Sequence, residues 1–138
     1  MKTKKKLVAW MVSQCVTPSN RFQYVSQFME NVWVDIYGGC GKLKCDREKT
    51  EKCYEMFERK YKFYFSFENS FCKDYVTEKF FNILSYYIIP VVMGGADYAA
   101  IAPPYSYINV EDFESPKDLA NYLIYLDKND TAYMEYFK

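Results

Sequence analysis

Residues 61–67 read Tyr-Lys-Phe-Tyr-Phe-Ser-Phe, and aromatic side chains stand at alternate positions, Tyr61, Phe63, Phe65 and Phe67. Because successive side chains of a β-strand point to opposite faces, this period of two predicts a strand. Its apolar character predicts that the strand lies at the centre of a sheet. Alternating aromatic residues suit a buried strand without any ligand, so we interpret them as core and not as a platform on which bases stack.

Further segments on both sides of this strand predict the rest of the sheet. Short apolar runs lie at residues 7–13, 33–37, 88–93 and 106–110. Patterns with apolar residues three and four apart predict helices at residues 19–32, 50–60 and 76–87, and another that opens at Ser115-Pro116. This alternation predicts an α/β fold, a Rossmann-like parallel sheet with crossover helices. With no repeat or long linker, residues 1–138 are expected to form a single domain.

Composition restricts the classes of function. Half of the residues are hydrophobic and 26% are charged, which predicts a packed globule. Lysine plus arginine and aspartate plus glutamate both number 18, so no broad basic face is expected and nucleic acid is not an expected partner. The chain has no histidine, which excludes Ser-His-Asp and Cys-His nucleophiles and histidine-ligated zinc. Catalysis would have to use carboxylates, lysine, arginine, tyrosine or cysteine.

Five cysteines indicate an oxidising compartment. Cys15, Cys40, Cys45, Cys53 and Cys72 stand singly and not in Cys-x-x-Cys pairs, which favours disulfides in the secretory pathway. The odd number leaves one thiol free or paired outside the chain. A zinc site built from Cys40, Cys45, Cys53 and Cys72 is the alternative, although the gaps between them are irregular.

Two further features bear on the compartment. The triplet Asn129-Asp130-Thr131 is a sequon for N-linked glycosylation, although such triplets also arise by chance. The sequence has no stretch of about 20 apolar residues, which is the length that a membrane-spanning helix requires. If the protein belongs to the secretory pathway, we expect its targeting segment to lie outside this chain, which would then be a fragment.

Polar residues that follow the predicted strands indicate an anion site. In an open parallel sheet, ligands bind beyond the carboxyl ends of the strands. The residues at these ends are Arg21 after the first strand, Glu68, Asn69, Tyr75, Glu78 and Lys79 after the third, and Gly94-Gly95 after the fourth. A helix N-terminus near Val76, with Arg21 and Lys79, would suit a diphosphate. Because the chain has no Asp-x-Asp, charge neutralisation would fall to these two cations, and we expect no metal requirement.

The same residues have a simpler interpretation. Glu78 and Lys79 could be solvated charges on a helix surface, Arg21 could pair with Glu30 or another acid, and Glu68 could cap a helix. No Walker or Gly-x-Gly-x-x-Gly loop decides between the two interpretations.

A longer composite motif is more specific. Residues 61–70, YKFYFSFENS, followed by residues 74–81, DYVTEKFF, closely resemble the signature of the α-1,3-fucosyltransferases, glycosyltransferase family 10. Further matches lie at residues 8–21, 34–38, 89–92 and 103–108, so the similarity covers nearly the whole chain. The cysteine-rich stretch from Cys40 to Cys53, with Cys72, is more similar to enzymes that fucosylate the innermost N-acetylglucosamine of N-glycans than to those that make Lewis antigens.

The resemblance implies a fold and a reaction. The chain would be the C-terminal, GDP-fucose-binding half of a GT-B glycosyltransferase. The family transfers L-fucose from GDP-fucose to the 3-hydroxyl of N-acetylglucosamine with inversion. The full-length protein would be a single-pass type II protein on the lumenal side of the Golgi membrane. Its N-terminal domain would bind the glycan acceptor and carry the catalytic base, so this chain alone would bind the donor without turnover.

The resemblance also implies residue roles. Arg21 and Lys79 match the contacts to the pyrophosphate, and Asn69, Tyr75 and Glu78 match the contacts to the nucleotide, with Glu78 on the ribose. Glu68 matches a position close to the fucose and the donor phosphates, so the expected catalytic set is Glu68, Arg21 and Lys79. Two other functions stay open, a nucleotide-sugar-binding module that never reacts and a structural remnant that binds nothing. A flavodoxin-like domain would need an acidic cluster or a phosphate loop after the first strand, and residues 13–21 offer neither.

Overall fold

A five-stranded parallel sheet forms the centre of the computed structural model, which describes residues 6–11, 21–38, 43, 50–67, 83–93, 98–103 and 106–137. The strands are β1 (Lys6–Met11), β2 (Val34–Tyr37), β3 (Tyr61–Phe67), β4 (Ile89–Met93) and β5 (Ile108–Asn109). They pair in the order β2-β1-β3-β4-β5, so β3 is the central strand. The predicted α/β class and the central position of residues 61–67 are confirmed.

The described helices lie before, between and after these strands. They are α1 (Arg21–Phe28), α2 (Thr50–Lys60), α3 (Tyr98–Ile101), α4 (Pro116–Lys128) and α5 (Asp130–Met134), with 3-10 turns at Val110–Asp112 and Glu135–Phe137. The predicted start of α4 is confirmed, since the Ser115 hydroxyl accepts a hydrogen bond from the Asp118 N–H at 3.1 Å. Within the described part of the chain, no helix has the length and apolar character needed to cross a bilayer.

Several predicted boundaries are wrong. Trp33 was expected in the second strand, but it precedes that strand and is 71% exposed. The first helix was expected to reach Val32, but it ends at Phe28 and a turn follows in which Val32 stays buried. The predicted helix at 76–87 lies mostly outside the described residues, and the described part is no longer helical at 85–88. There the backbone N–H of Tyr87 donates to the Glu58 carboxylate at 2.7 Å.

Helices cover both faces of the sheet. On one face, α1 and α4 pack Phe28 and Leu123 against Phe65 of the central strand. On the other face, α2 packs Tyr54 and Phe57 against Tyr64. A parallel sheet buried on both faces requires nearly continuous apolar strands, which is why all seven residues of β3 are buried. The aromatic residues of this strand are therefore core, as predicted.

Cys53 lies on the buried side of α2. It is fully buried in the core and is joined in a disulfide, whose partner lies outside the described residues. Because its sulfur is already bonded to a second sulfur, Cys53 cannot be a thiolate ligand, and the zinc site that included it is not supported.

Lys62 connects the last two helices to the central strand. Although it is a lysine, it is only 5% exposed. Its ammonium group lies 2.9 Å from the carboxylate of Asp127 and 3.1 Å from the backbone oxygen of the same residue. The Tyr133 hydroxyl of α5 donates to the backbone oxygen of Lys62 at 2.9 Å. These contacts fix the junction of α4 and α5 near the amino end of β3.

Candidate functional site

The carboxyl ends of the strands form the edge at which a ligand is expected. From β1 the sheet extends to β2 on one side and to β3 on the other, so the strand order reverses between β1 and β3. Ligands of doubly wound α/β proteins bind in the crevice at such a reversal. Met11 ends β1 and Phe67 ends β3 at this point.

Arg21 lies at this switch point. It is the first residue of α1 and is only 3% exposed. One of its terminal nitrogens, Nη1, donates to the backbone oxygen of Phe67 at 3.3 Å. Its guanidinium carbon lies 5.6 Å from the centre of the Trp10 ring. Arg21 thus lies beside the end of the third strand, at the carboxyl edge of the sheet, and its burial excludes a role as a solvated surface charge.

The Trp10 ring beside Arg21 belongs to a cluster of aromatic rings. The Trp10 ring packs against Phe22 at 4.8 Å and against Phe67 at 5.8 Å between ring centres. Phe67 in turn stacks on Phe65 at 4.5 Å. Since guanidinium is planar and weakly hydrated, such rings hold it in one orientation at small desolvation cost.

Tyr24 is a candidate site residue that the sequence reasoning missed. It follows Arg21 by three residues in α1, so the two share a helix face. Its ring meets Phe67 edge-on at 6.2 Å, and burial raises its pKa to about 12. Its hydroxyl is buried without a hydrogen-bond partner in the described part of the structure. A buried hydroxyl in this state is costly, and a bound ligand could satisfy it.

The other predicted site residues lie outside the described residues. They are Glu68, Asn69, Tyr75, Glu78 and Lys79, together with the helix start near Val76 and the pair Gly94-Gly95. Of the predicted set, the structure therefore positions Arg21, and the roles of all six residues, Arg21 included, stay predictions. Among the residues that are described, no three histidine, cysteine or acidic side chains form a group that could hold a metal ion.

A groove of about 520 Å³ lies at the opposite, amino edge of the sheet, next to Lys6, Trp33, Asp35 and Tyr61. Asp35 accepts hydrogen bonds from Lys6 and from the Trp33 indole, each at 3.0 Å, and from the Tyr61 hydroxyl. Burial alone would raise the pKa of Asp35, but these hydrogen bonds outweigh it and hold the pKa below its ordinary value. The carboxylate links β2 to the first residues of β1 and β3, so we assign this cluster to stability.

Replacing Asp35 by asparagine should lower the free energy of unfolding at neutral pH by about 1–2 kcal/mol, because charged hydrogen bonds are lost from a partly exposed site. The folded pKa of Asp35 is depressed, so its contribution is present above the unfolded carboxyl pKa of about 4 and is lost as the pH falls through the folded value. Urea unfolding from pH 7 to pH 2 should show the difference between the proteins shrink in acid. Asp112→Asn, at an exposed acid, is the control, and a pH-independent difference would contradict the assignment.

Comparisons with known proteins agree with this fold. The parallel sheet, whose strand order reverses between β1 and β3, defines the class, a doubly wound α/β domain. All of residues 1–138 match the family model described as glycosyltransferase family 10 (fucosyltransferase), C-terminal. The chain belongs to this family, and the resemblance predicted from the signature residues is confirmed.

Individual relatives are similar over almost the whole chain. Glycoprotein 3-alpha-L-fucosyltransferase A of Drosophila melanogaster is 51% identical over 138 residues, which cover 98% of this chain and 27% of the relative. Alpha-(1,3)-fucosyltransferase fut-1 of Caenorhabditis elegans is 46% identical over 138 residues, which cover 98% of this chain and 31% of the relative. The chain thus spans between about a quarter and a third of the length of these curated relatives.

Solved structures share the fold. An α1,3-fucosyltransferase crystallised with GDP-fucose superposes with a TM-score of 0.80 at 24% identity, over 97% of this chain and 38% of that chain. The same TM-score and coverage are found for an α1,3-fucosyltransferase with GDP. At 24% sequence identity, this structural similarity supports the Rossmann-like fold alone.

Proposed function

We propose that this chain is the GDP-fucose-binding domain of an inverting α-1,3-fucosyltransferase that transfers L-fucose to an N-acetylglucosamine 3-hydroxyl of a glycoprotein glycan. The observation that carries the proposal is Arg21, a permanent cation buried at the switch point of the sheet in a chain of the fucosyltransferase family. Arginine suits a diphosphate because its planar donors match phosphate oxygens.

The proposed mechanism follows from the movement of charge. As the bond from fucose to phosphate stretches, the sugar becomes oxocarbenium-like and the departing GDP gains negative charge. Arg21, Lys79 and the helix N-terminus near Val76 would stabilise that charge without a metal. Asn69, Tyr75 and Glu78 would hold the nucleotide, and Glu68 would lie close to the fucose and the phosphates.

A second domain completes the proposed enzyme. Inverting displacement needs a base that takes the proton of the acceptor hydroxyl from the face opposite the leaving group. We assign this base to an acceptor-binding domain outside the chain, because the chain corresponds to 27% of its Drosophila relative. The alternative is a nucleotide-sugar-binding module that holds GDP-fucose without turnover.

The acceptor and the compartment are part of the proposal. The relative at 51% identity is named a glycoprotein fucosyltransferase, which supports a glycoprotein glycan as acceptor. We place the full-length protein on the lumenal side of the Golgi membrane, as a type II protein. The disulfide of Cys53 is consistent with that oxidising compartment.

Calorimetric titration with GDP, with UDP as the control ligand, tests the proposal once circular dichroism has shown that the chain is folded. We expect GDP to bind selectively and EDTA to leave the affinity unchanged. Lys79→Ala should weaken GDP binding by about 1.5–3 kcal/mol, the usual contribution of a charged hydrogen bond, with an unchanged far-UV spectrum. Lys128→Ala, at an exposed lysine in the last turn of α4, is the matched control.

The two functions separate in a second assay. If the chain binds GDP and transfers fucose after it is joined to an acceptor domain, the enzyme is supported. If it binds GDP but never transfers fucose in that context, the non-catalytic alternative holds. A folded chain with no affinity for GDP would overturn the proposal, and an unaltered affinity in Lys79→Ala would remove Lys79 from the site.

A further inference from the structure

The turn between α4 and α5 contains the sequon Asn129-Asp130-Thr131, in which Asn129 is half-buried. Asn129 is the single residue between the two helices, with an extended backbone at φ −126° and ψ 92°. Its neighbours Asp130 and Thr131 are both exposed. Glycosylated sequons lie at surface turns, so this triplet has the required setting as well as the required sequence.

The oxygen and the nitrogen of the Asn129 side-chain amide make different hydrogen bonds. Its oxygen, Oδ1, accepts the Ala132 N–H at 3.1 Å and so caps the amino end of α5. Its nitrogen, Nδ2, donates at 3.3 Å to the hydroxyl of Tyr125, a residue that is 51% exposed. The nitrogen thus bonds to a half-exposed side chain, whereas the oxygen carries the structural bond. Attachment of a sugar to Nδ2 would leave the helix cap intact.

We infer that Asn129 is an acceptor for an N-linked glycan. This inference rests on the proposed function, because it needs the lumenal compartment in which a diphosphate-linked oligosaccharide donor is available. In the transfer, Nδ2 forms a bond to the anomeric carbon of the donor sugar. The bond from that carbon to the lipid diphosphate breaks, the diphosphate leaves with the electron pair, and Nδ2 loses one proton.

The glycan would lie far from the proposed donor site. Two residues before the sequon, Asp127 pairs with Lys62, the second residue of β3, while Phe67 at the other end of that strand contacts Arg21. The five residue-to-residue steps from Lys62 to Phe67 extend about 16 Å at the usual rise of a strand. A glycan on Asn129 would therefore lie at the amino edge of the sheet and leave the carboxyl edge, where Arg21 lies, uncovered.

Matched variants separate the glycan from the helix cap. Asn129→Asp keeps a capping oxygen, since aspartate is as good an N-cap as asparagine, but removes the amide nitrogen. Thr131→Ala removes the hydroxyl that the sequon requires at an exposed position, and Thr131→Ser restores it. Asn129→Gln would remove the glycan and the cap together, so it is less informative.

The test is expression of the full chain behind a cleavable secretion signal in eukaryotic cells, which imposes the compartment whatever the native one is. The lumenal fraction is analysed by intact mass before and after treatment with peptide N-glycosidase. We expect a glycosidase-sensitive mass in the wild type and in Thr131→Ser, and its complete loss in Asn129→Asp and Thr131→Ala. The four proteins should share one far-UV spectrum.

Two results would overturn the inference. One is a folded wild-type protein from the lumen whose mass does not change on glycosidase treatment. The other is a Thr131→Ala protein whose mass still changes on that treatment. GDP titration of the same samples measures the proposed function separately. A glycosylated chain that fails to bind GDP would therefore overturn the proposed function while leaving Asn129 as a lumenal glycan acceptor. A chain that binds GDP without a glycan would overturn the assignment of Asn129 alone.

Discussion

Arg21→Ala should weaken the binding of GDP by about 10- to 150-fold, which corresponds to the loss of about 1.5–3 kcal/mol from a charged hydrogen bond. The guanidinium is buried at the end of β3 and is held by the Phe67 backbone oxygen and the Trp10 ring, so its charge is already positioned before a ligand arrives. A preorganised cation of this kind acts without the cost of ordering a flexible side chain. Calorimetric titration measures the effect directly.

Control variants separate charge from structure. Arg59→Ala removes an exposed arginine in the last turn of α2, and should leave the GDP affinity unchanged. Arg21→Lys keeps the charge but not the planar donors, so an intermediate loss is expected. Urea unfolding of each variant shows whether Arg21→Ala has also lost stability through its contact with Phe67. If Arg21→Ala stays folded and binds GDP as the wild type does, Arg21 has no part in donor binding.

Phe65→Ala should lower the free energy of unfolding by about 3–5 kcal/mol, the usual cost of removing a buried phenylalanine ring. Phe65 is 1% exposed at the centre of β3, stacked on Phe67 at 4.5 Å and edge-on to Phe28 at 5.0 Å. The total free energy of unfolding of a domain is roughly 5–15 kcal/mol, so this loss alone would leave the protein close to unfolding. Urea denaturation followed by circular dichroism provides the measurement.

Phe65→Leu is a smaller change at the same position. It keeps an apolar side chain and should cost about 1.5 kcal/mol or less if the core repacks. Tyr125→Ala, at an aromatic residue that is half exposed, should change stability by about 0.5 kcal/mol. Equal effects of Phe65→Ala and Tyr125→Ala would contradict the assignment of the alternating aromatic residues to the core, and would reopen a ligand-stacking role for them.

Periodicity predicted the elements in which a regular spacing marks the buried side chains. The predicted bounds 50–60 and 61–67 agree with the structure to the residue, because α2 buries Cys53, Tyr54 and Phe57 at helical spacing and β3 buries all seven of its residues. Periodicity gave wrong boundaries where an apolar residue lies just outside a helix or strand but continues the apolar pattern of that helix or strand. Val32 is buried in a turn after α1, and Trp33 is exposed, yet both continue the apolar pattern of the neighbouring elements.

Short helices left too little signal to predict. Helix α3 has four residues and α5 has five, fewer than two turns each, so neither repeats an apolar spacing. The start of α5 depends on Asn129, which ends one helix and caps the next. In the sequence that asparagine is recognised as part of a sequon, and nothing in the pattern shows that it is also a cap.

The part of the candidate site that is positioned by the topology of the sheet could be predicted from the sequence. The position of Arg21 follows from the rule that ligands lie beyond the carboxyl ends of parallel strands. Tyr24 was not predictable in the same way, because a tyrosine on an amphipathic helix has the same pattern whether its hydroxyl contacts protein, water or ligand. The spacing of three residues from Arg21 was the one available signal, and it gains meaning when the burial of the hydroxyl is known.

The contact between Tyr133 and Lys62 has a consequence for biosynthesis. The two residues are 71 positions apart, so the ribosome completes the central strand long before it makes the helix that covers one end of it. During that interval the aromatic face of β3 lacks part of its cover, and pairings of such high sequence separation form slowly. The nascent chain therefore passes through a stage in which an apolar strand is open to chaperones or to self-association.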